Sequence, residues 1–141
     1  MNFVQSISTV YSKYFVFSGR AIRSEFWWYM LFQTVISVAL FFVPVLGMVW
    51  NLANLVPIVA VTSRRLHDID GTAWWQLLPL VGLPVVLIGL LFSSSIMMMV
   101  GGGMAGIAYL VILYWAACDG TPGPNHYGKD PLRREGDGTY E

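Results

Sequence analysis

Two long stretches of this chain contain no Asp, Glu, Lys or Arg: Phe26 to Ser63 and Gly71 to Cys118. Between them lies one short charged island, Ser63-Arg64-Arg65-Leu66-His67-Asp68-Ile69-Asp70. Uncharged apolar runs of this length leave few folds open. A soluble domain has about a quarter of its residues charged, whereas this one has 11%. The missing charge points to lipid as the solvent. A chain of 141 residues has room for one domain, here expected over 1–131 with a flexible tail over 132–141.

The fold class that follows is all-α: an integral-membrane four-helix bundle built as two hairpins. Spans are expected at about 26–43, 46–62, 74–92 and 96–117. The first covers about 27 Å at 1.5 Å per residue, close to the hydrocarbon thickness. Pro57 is expected to kink the second span, and Pro79 and Pro84 to disturb the third, which leaves a re-entrant course open for it. The uncharged turns fall at Pro44–Gly47 and Ser93–Ser95.

Before the first span, Phe3, Ile7, Val10, Tyr11 and Tyr14 form one helical stripe, with Gln5, Ser6, Ser8, Thr9, Ser12 and Lys13 on much of the other side. This reads as an amphipathic helix in the membrane interface, or equally as a helix packed on the rest of the protein. Trp27 and Trp28, with Trp74 and Trp75, are expected as interfacial anchors. Ser24 is a candidate cap for the first span. The tail from Asp119 to Gly128 reads as a Pro/Gly-rich loop, and Lys129 to Glu141 as a frayed, solvated end.

Charge sets the topology. Lys13, Arg20 and Arg23 precede the first span, Arg64 and Arg65 separate the second and third, and Lys129, Arg133 and Arg134 follow the fourth. Four spans put every cation on one side. The positive-inside rule makes that side cytoplasmic, with both termini inside. The expected location is a bacterial inner membrane. Net charge is zero, so no nucleic-acid partner is expected. The single Cys118 excludes an intramolecular disulfide.

Three segments resemble a known family. Phe17-Ser18-Gly19-Arg20-Ala21-Ile22-Arg23-Ser24-Glu25-Phe26-Trp27 is similar to its F-x-G-R-x-x-R-x-x-F-W signature. Arg64-Arg65-Leu66-His67-Asp68, followed by Trp74-Trp75, resembles its central motif, with Thr72-Ala73 where many relatives have S-G. Gly123-Pro124-Asn125-His126-Tyr127-Gly128-Lys129-Asp130-Pro131 resembles its closing G-x-N-x-Y-G-x-D-P motif. Together they identify the chain as a member of the domain of unknown function 805 family of small bacterial inner-membrane proteins, over about Tyr14 to Pro131. The resemblance implies location and topology but no activity.

The residues themselves offer two readings of the charged rim formed by Arg20, Arg23, Arg64, Arg65, His67, Asp68, Asn125, Tyr127 and Asp130. Guanidinium groups ringed by tryptophans suit an anionic lipid headgroup or a partner membrane protein. Alternatively they pair with Glu25, Asp68, Asp70, Asp119 and Asp130 and pin loops together. Arg64 and Arg65 stand at i, i+4 and i, i+3 to Asp68, so either pairs easily on a continuing helix. A metal site of His67, His126 and Asp119 lacks the usual ligand spacing, and adjacent His67 and Asp68 point about 100° apart on a helix. No catalytic residue, metal or cofactor is expected; the alternative of a membrane-edge metal-dependent enzyme would need His67 and His126 within coordinating distance of one metal. Inside the membrane, Gln33, Asn51 and Asn54 are the polar exceptions. They are expected to hydrogen-bond across the first helix pair; a small transporter or channel component would use them as a path. No ionisable residue lies within a span, which counts against ion-coupled transport. Gly102 and Gly106 suit close helix packing, within the monomer or in a homo-oligomer.

Overall fold

The computed structural model describes residues 1–132; residues 133–141, including Arg133 and Arg134, lie outside the described residues. Every regular element among the described residues is helical: α1 (Phe3–Ser12), α2 (Arg23–Ala39), α3 (Pro44–Asp68), α4 (Leu83–Leu91) and α5 (Ser95–Ala117), with 3₁₀ segments at Leu40–Phe42 and Ala73–Gly82. Among the described residues four segments are long and apolar enough to cross a membrane: Arg23–Phe42, Pro44–Asp68, Ala73–Leu91 and Ser95–Ala117. The chain forms two compact units, one of Met1–Ala73 with the tail from Asp119, the other of Trp74–Cys118.

In the first unit, α2 and α3 form a hairpin. Its turn comes earlier than the sequence pattern indicates. The chain turns at Leu40–Val43, and Pro44 already sits in the first turn of α3, where its missing N–H costs nothing. Gly47 therefore lies inside the helix. At its other end α3 runs on through the charged island to Asp68. This helix has two regimes. From Pro44 to Val59 only Asn54 and Pro57 are buried, as for a helix facing lipid. From Ala60 to Asp68 every residue is buried, although most of them are polar or charged.

Helix α1 packs across this hairpin. Asn2 and Gln5 form a reciprocal capping box at its start, which satisfies two end groups at once. Val10 is fully buried, and Ser6 donates to the Ser24 carbonyl at 3.2 Å. Tyr14 resolves a defect at Pro57. A proline cannot donate to the carbonyl four residues back, which leaves the Ala53 oxygen without its helical partner; the Tyr14 hydroxyl donates to that oxygen. Ser24 does not cap α2: Ile22 occupies that position, with no side-chain cap bond.

The second unit opens in the segment Ala73–Gly82, which is 3₁₀ rather than α and belongs to it from Trp74 on; α4 follows with Pro84 in its first turn. Together they extend roughly 33 Å at the usual rises, enough for a full crossing. Ser94 caps α5 by accepting from the Met97 amide at 3.5 Å. The α4–α5 contact is made by backbone. A Cβ on Gly82 would collide with the Gly101 carbonyl oxygen, and one on Gly89 would lie 2.8 Å from the Met98 nitrogen. Gly101 is thus the packing glycine. Gly102 and Gly106, expected in that role, have open space instead, with no atom within 4 Å of where a Cβ would stand.

Candidate functional site

Helix α3 ends in carbonyl groups with no acceptor role left inside the helix, and the three charged motifs gather around them. The Asp68 carbonyl accepts from the Thr121 amide at 2.8 Å and from Arg20 Nη2 at 3.3 Å. The His67 carbonyl accepts from Asn125 Nδ2 at 2.8 Å. The tail loop is therefore a cap on α3. Its own turn is closed by the Asn125–Gly128 bridge, with Gly128 at φ 134°, a conformation that favours glycine.

Arg20 is the residue that ties the three motifs together. Its Nε donates to Asp68 Oδ1 at 2.8 Å, its Nη1 to the Gly123 carbonyl at 2.7 Å and its Nη2 to the Thr121 carbonyl at 2.6 Å. Arg65 pairs with the other Asp68 oxygen and donates to the Ala21 carbonyl at 3.1 Å. One carboxylate thus serves two guanidinium groups. The side chains of Arg20, Arg65 and Asp68 are 1%, 0% and 3% exposed, so the cluster is buried and the single carboxylate is the counter-charge shared by both guanidinium groups. Gly120 makes room for it: a Cβ there would collide with Asp68 Oδ2.

The other two arginines point elsewhere. Arg64 turns away from Asp68 and forms a buried pair with Glu25 at 3.0 Å. Arg23 pairs with Asp119 at 2.6 Å, with side chains 49% and 77% exposed. The four guanidinium groups therefore do not share one open surface; of these four, Arg23 is the exposed one. Arg23 and Asp119 also line a cavity of about 260 Å³ with Ile22, Ser24 and Gly120.

His67 is held on both sides. Its Nδ1 lies 3.1 Å from the Gly19 carbonyl, and its ring stacks on Tyr127 with centroids 3.8 Å apart and planes 5° from parallel. Gly19 presents that carbonyl from φ 83°. Asp130, expected in a frayed end, is 3% exposed; it accepts from the Gly123 amide at 3.2 Å and the Leu132 amide at 2.9 Å. At the surface, His126 Nδ1 lies 3.0 Å from both Asp70 oxygens. That hydrogen bond holds the Asp70 carboxyl below its ordinary range. Among the described residues no group of three His, Cys, Asp or Glu side chains is placed to hold a metal.

A second polar cluster runs down the α1–α2–α3 contact. Asn54 Oδ1 accepts from Tyr11 at 2.7 Å and Tyr29 at 2.9 Å. Asn51 Oδ1 accepts from Ser37 at 3.0 Å and Gln33 Nε2 at 3.3 Å. Gln33 and Asn54 thus bond to different partners rather than to each other. The tyrosine hydroxyls and Ser37 are the members that residue type alone does not reveal. Only the carbonyl stranded by Pro57 signals in sequence that a donor is needed nearby. Of the tryptophan anchors, Trp27 and Trp28 are each 40% exposed and Trp74 76%; Trp75 meets Trp115 edge-on at 5.4 Å.

Comparison with known proteins gives the following. A family model described as protein of unknown function (DUF805) matches residues 14–129. Inner membrane protein YhaI of Escherichia coli (strain K12) is 30% identical over 131 residues, covering 87% of this chain and 92% of that protein. Inner membrane protein YhaH of the same strain is 28% identical over 134 residues, covering 86% and 92%. No solved structure matches the chain.

Proposed function

The chain belongs to the domain of unknown function 805 family of inner-membrane proteins, and from that premise we propose that it is a non-enzymatic multi-pass protein whose charged cap faces the cytoplasm and meets anionic lipid headgroups through Arg23. Both termini are then cytoplasmic. The Arg20–Asp68–Arg65 cluster is the rigid fitting that sets the position of the loops around Arg23. What carries this reading is the division of labour among the four arginines. Arg20, Arg64 and Arg65 are buried against internal carboxylates, whereas Arg23 is half exposed beside a cavity. The half-exposed rings of Trp27 and Trp28 suit the same headgroup layer.

The test is native mass spectrometry of protein purified from membranes rich in anionic lipid. Arg23→Gln should lower the number of retained anionic lipids while leaving the melting temperature in place. Unchanged retention rejects the headgroup contact and leaves a partner membrane protein as the occupant of the rim. Reporter fusions in the Ser63–Asp70 region and after residue 132 test the orientation; reporters on opposite sides would overturn it. A second reading, a small transporter or channel component, is favoured by the polar seam from Tyr11 through Asn54 to Gln33 and Asn51. It predicts solute flux in liposomes that Asn54→Leu abolishes.

A further inference from the structure

Beside the seam, α2 and α3 form an open groove of about 540 Å³ within the candidate spans. Gln33, Thr34, Ser37 and Asn51 supply its polar wall, and Val38, Phe41, Phe42 and Ile58 its apolar one. None of these residues is ionisable.

Gln33 is the unusual member. Its residue is 5% exposed, and its Oε1 is buried without a hydrogen-bond partner. The orientation of the amide is fixed by its neighbours. Nε2 faces two oxygens, Asn51 Oδ1 at 3.3 Å and Ser37 Oγ at 3.5 Å, so a flipped amide would set two carbonyl oxygens against each other. Asn51 is already occupied: its Oδ1 takes Ser37 and Gln33, and its Nδ2 donates to the Gly47 carbonyl at 2.8 Å. The unmet need of the cluster is therefore a single donor for Gln33 Oε1. A buried acceptor without a donor is costly where no water reaches it.

We propose that this groove binds an uncharged molecule dissolved in the bilayer, with one hydroxyl at its head and an apolar body. The hydroxyl donates to Gln33 Oε1, and the body lies along Val38, Phe41 and Phe42. A charged head would find no counter-charge in the groove. A head with only a carbonyl would add a second acceptor beside the first. The groove opens among lipid-facing side chains, since Val38, Phe41 and Phe42 are 65%, 75% and 86% exposed, so such a molecule arrives laterally from the membrane. Gln33 Oε1 is closed to solvent as it stands. Binding needs only a partial turn of the terminal amide, well short of a flip, that opens Oε1 to the groove while Nε2 keeps one of its two oxygens, Asn51 Oδ1 or Ser37 Oγ.

The inference is independent of the headgroup contact at Arg23, and its test reads a different surface. The protein in lipid nanodiscs is photolabelled with a diazirine-bearing alkylphenol and, separately, with the methyl ether of the same probe. The two differ only in the donated proton. Peptide mass spectrometry should place the phenol label within 34–42 or 51–58, at about 3–10 times the yield of the ether, the range expected for one net hydrogen bond. Gln33→Leu should bring the two yields together. Equal yields on the native protein overturn the proposal, and so does a groove that neither probe labels, because another surface then covers it. A phenol preference that persists in Gln33→Leu likewise overturns it. Should that variant fail to assemble, the comparison of the two probes on the native protein decides by itself.

Discussion

The charged cap and the α4–α5 hairpin hold their shapes by opposite means. In the cap, long side chains do the work: Arg20 reaches Asp68, Thr121 and Gly123, and Arg65 reaches Asp68 and Ala21. In the hairpin the side chains withdraw, and Gly82, Gly89 and Gly101 let two backbones touch. The difference follows from the surroundings. Lipid offers no hydrophobic driving force between apolar helices, so close backbone contact takes its place. At the end of α3 the free carbonyl groups demand donors, which the Thr121 amide, the Asn125 side chain and Arg20 supply, and the charge pairs of Asp68 hold that loop in place. The cap should therefore be sensitive to the loss of one charge and the hairpin to the gain of one carbon.

The largest effect is expected at Asp68. Asp68→Asn leaves two buried guanidinium groups without a counter-charge, a loss of about 3–5 kcal/mol for a broken buried pair. The melting temperature in detergent should fall steeply, and the tail after Asp119 should become open to protease. A small change would mean that water enters the cluster. Next comes Gly82→Ala, whose new carbon runs into the Gly101 carbonyl oxygen. Overpacking of this kind costs about 1–3 kcal/mol. Gly106→Ala is the matched control, with open space around it; it should melt no lower than the native protein. Equal losses at the two glycines would erase the contrast between the regions.

Much of this was legible in sequence, and unevenly so. The helix count came from charge-free stretches, which survive small errors in any boundary. Arg20, Asp68, Asn125 and Asp130 were legible as parts of one rim, because four spans put the segments that carry them on one side of the membrane. The choice of partner was not legible. Arg64 and Arg65 both stand within reach of Asp68 along α3, and what separates them is Glu25, which arrives on α2 and takes Arg64. Nor does sequence distinguish Gly101 from Gly102, since that depends on the rotation of α5 against α4. The 3₁₀ course of Ala73–Gly82 was foreshadowed only by Pro79.

A finer probe is Tyr14→Phe. It removes the donor to the carbonyl stranded by Pro57 and should cost about 1 kcal/mol, the net value of one hydrogen bond. The double variant with Pro57→Ala tests the reason. Alanine restores the helical N–H, so the tyrosine hydroxyl becomes redundant and its removal should then cost little. If Tyr14→Phe costs the same in both backgrounds, the hydroxyl is not compensating for the proline.

The smallest effect separates the surface of the cap from its interior. Asp70 has its carboxyl pKa lowered, first by the hydrogen bond from His126. A lowered carboxylate contributes stability that is complete above its unfolded value, near 3.8, and is lost as pH falls through the lower, folded value. The contact between Asp70 and the tail should therefore hold from neutral pH down through the ordinary carboxylate range and release only below it. Amide exchange at His126, whose N–H donates to Asp70 Oδ1 at 3.3 Å, reports that release. Asp70→Asn should flatten the profile without altering the melting temperature much, because this contact lies at the surface, where solvent screens it. Release of His126 together with the Asp68 cluster would instead make the loop and the buried charges a single cooperative unit.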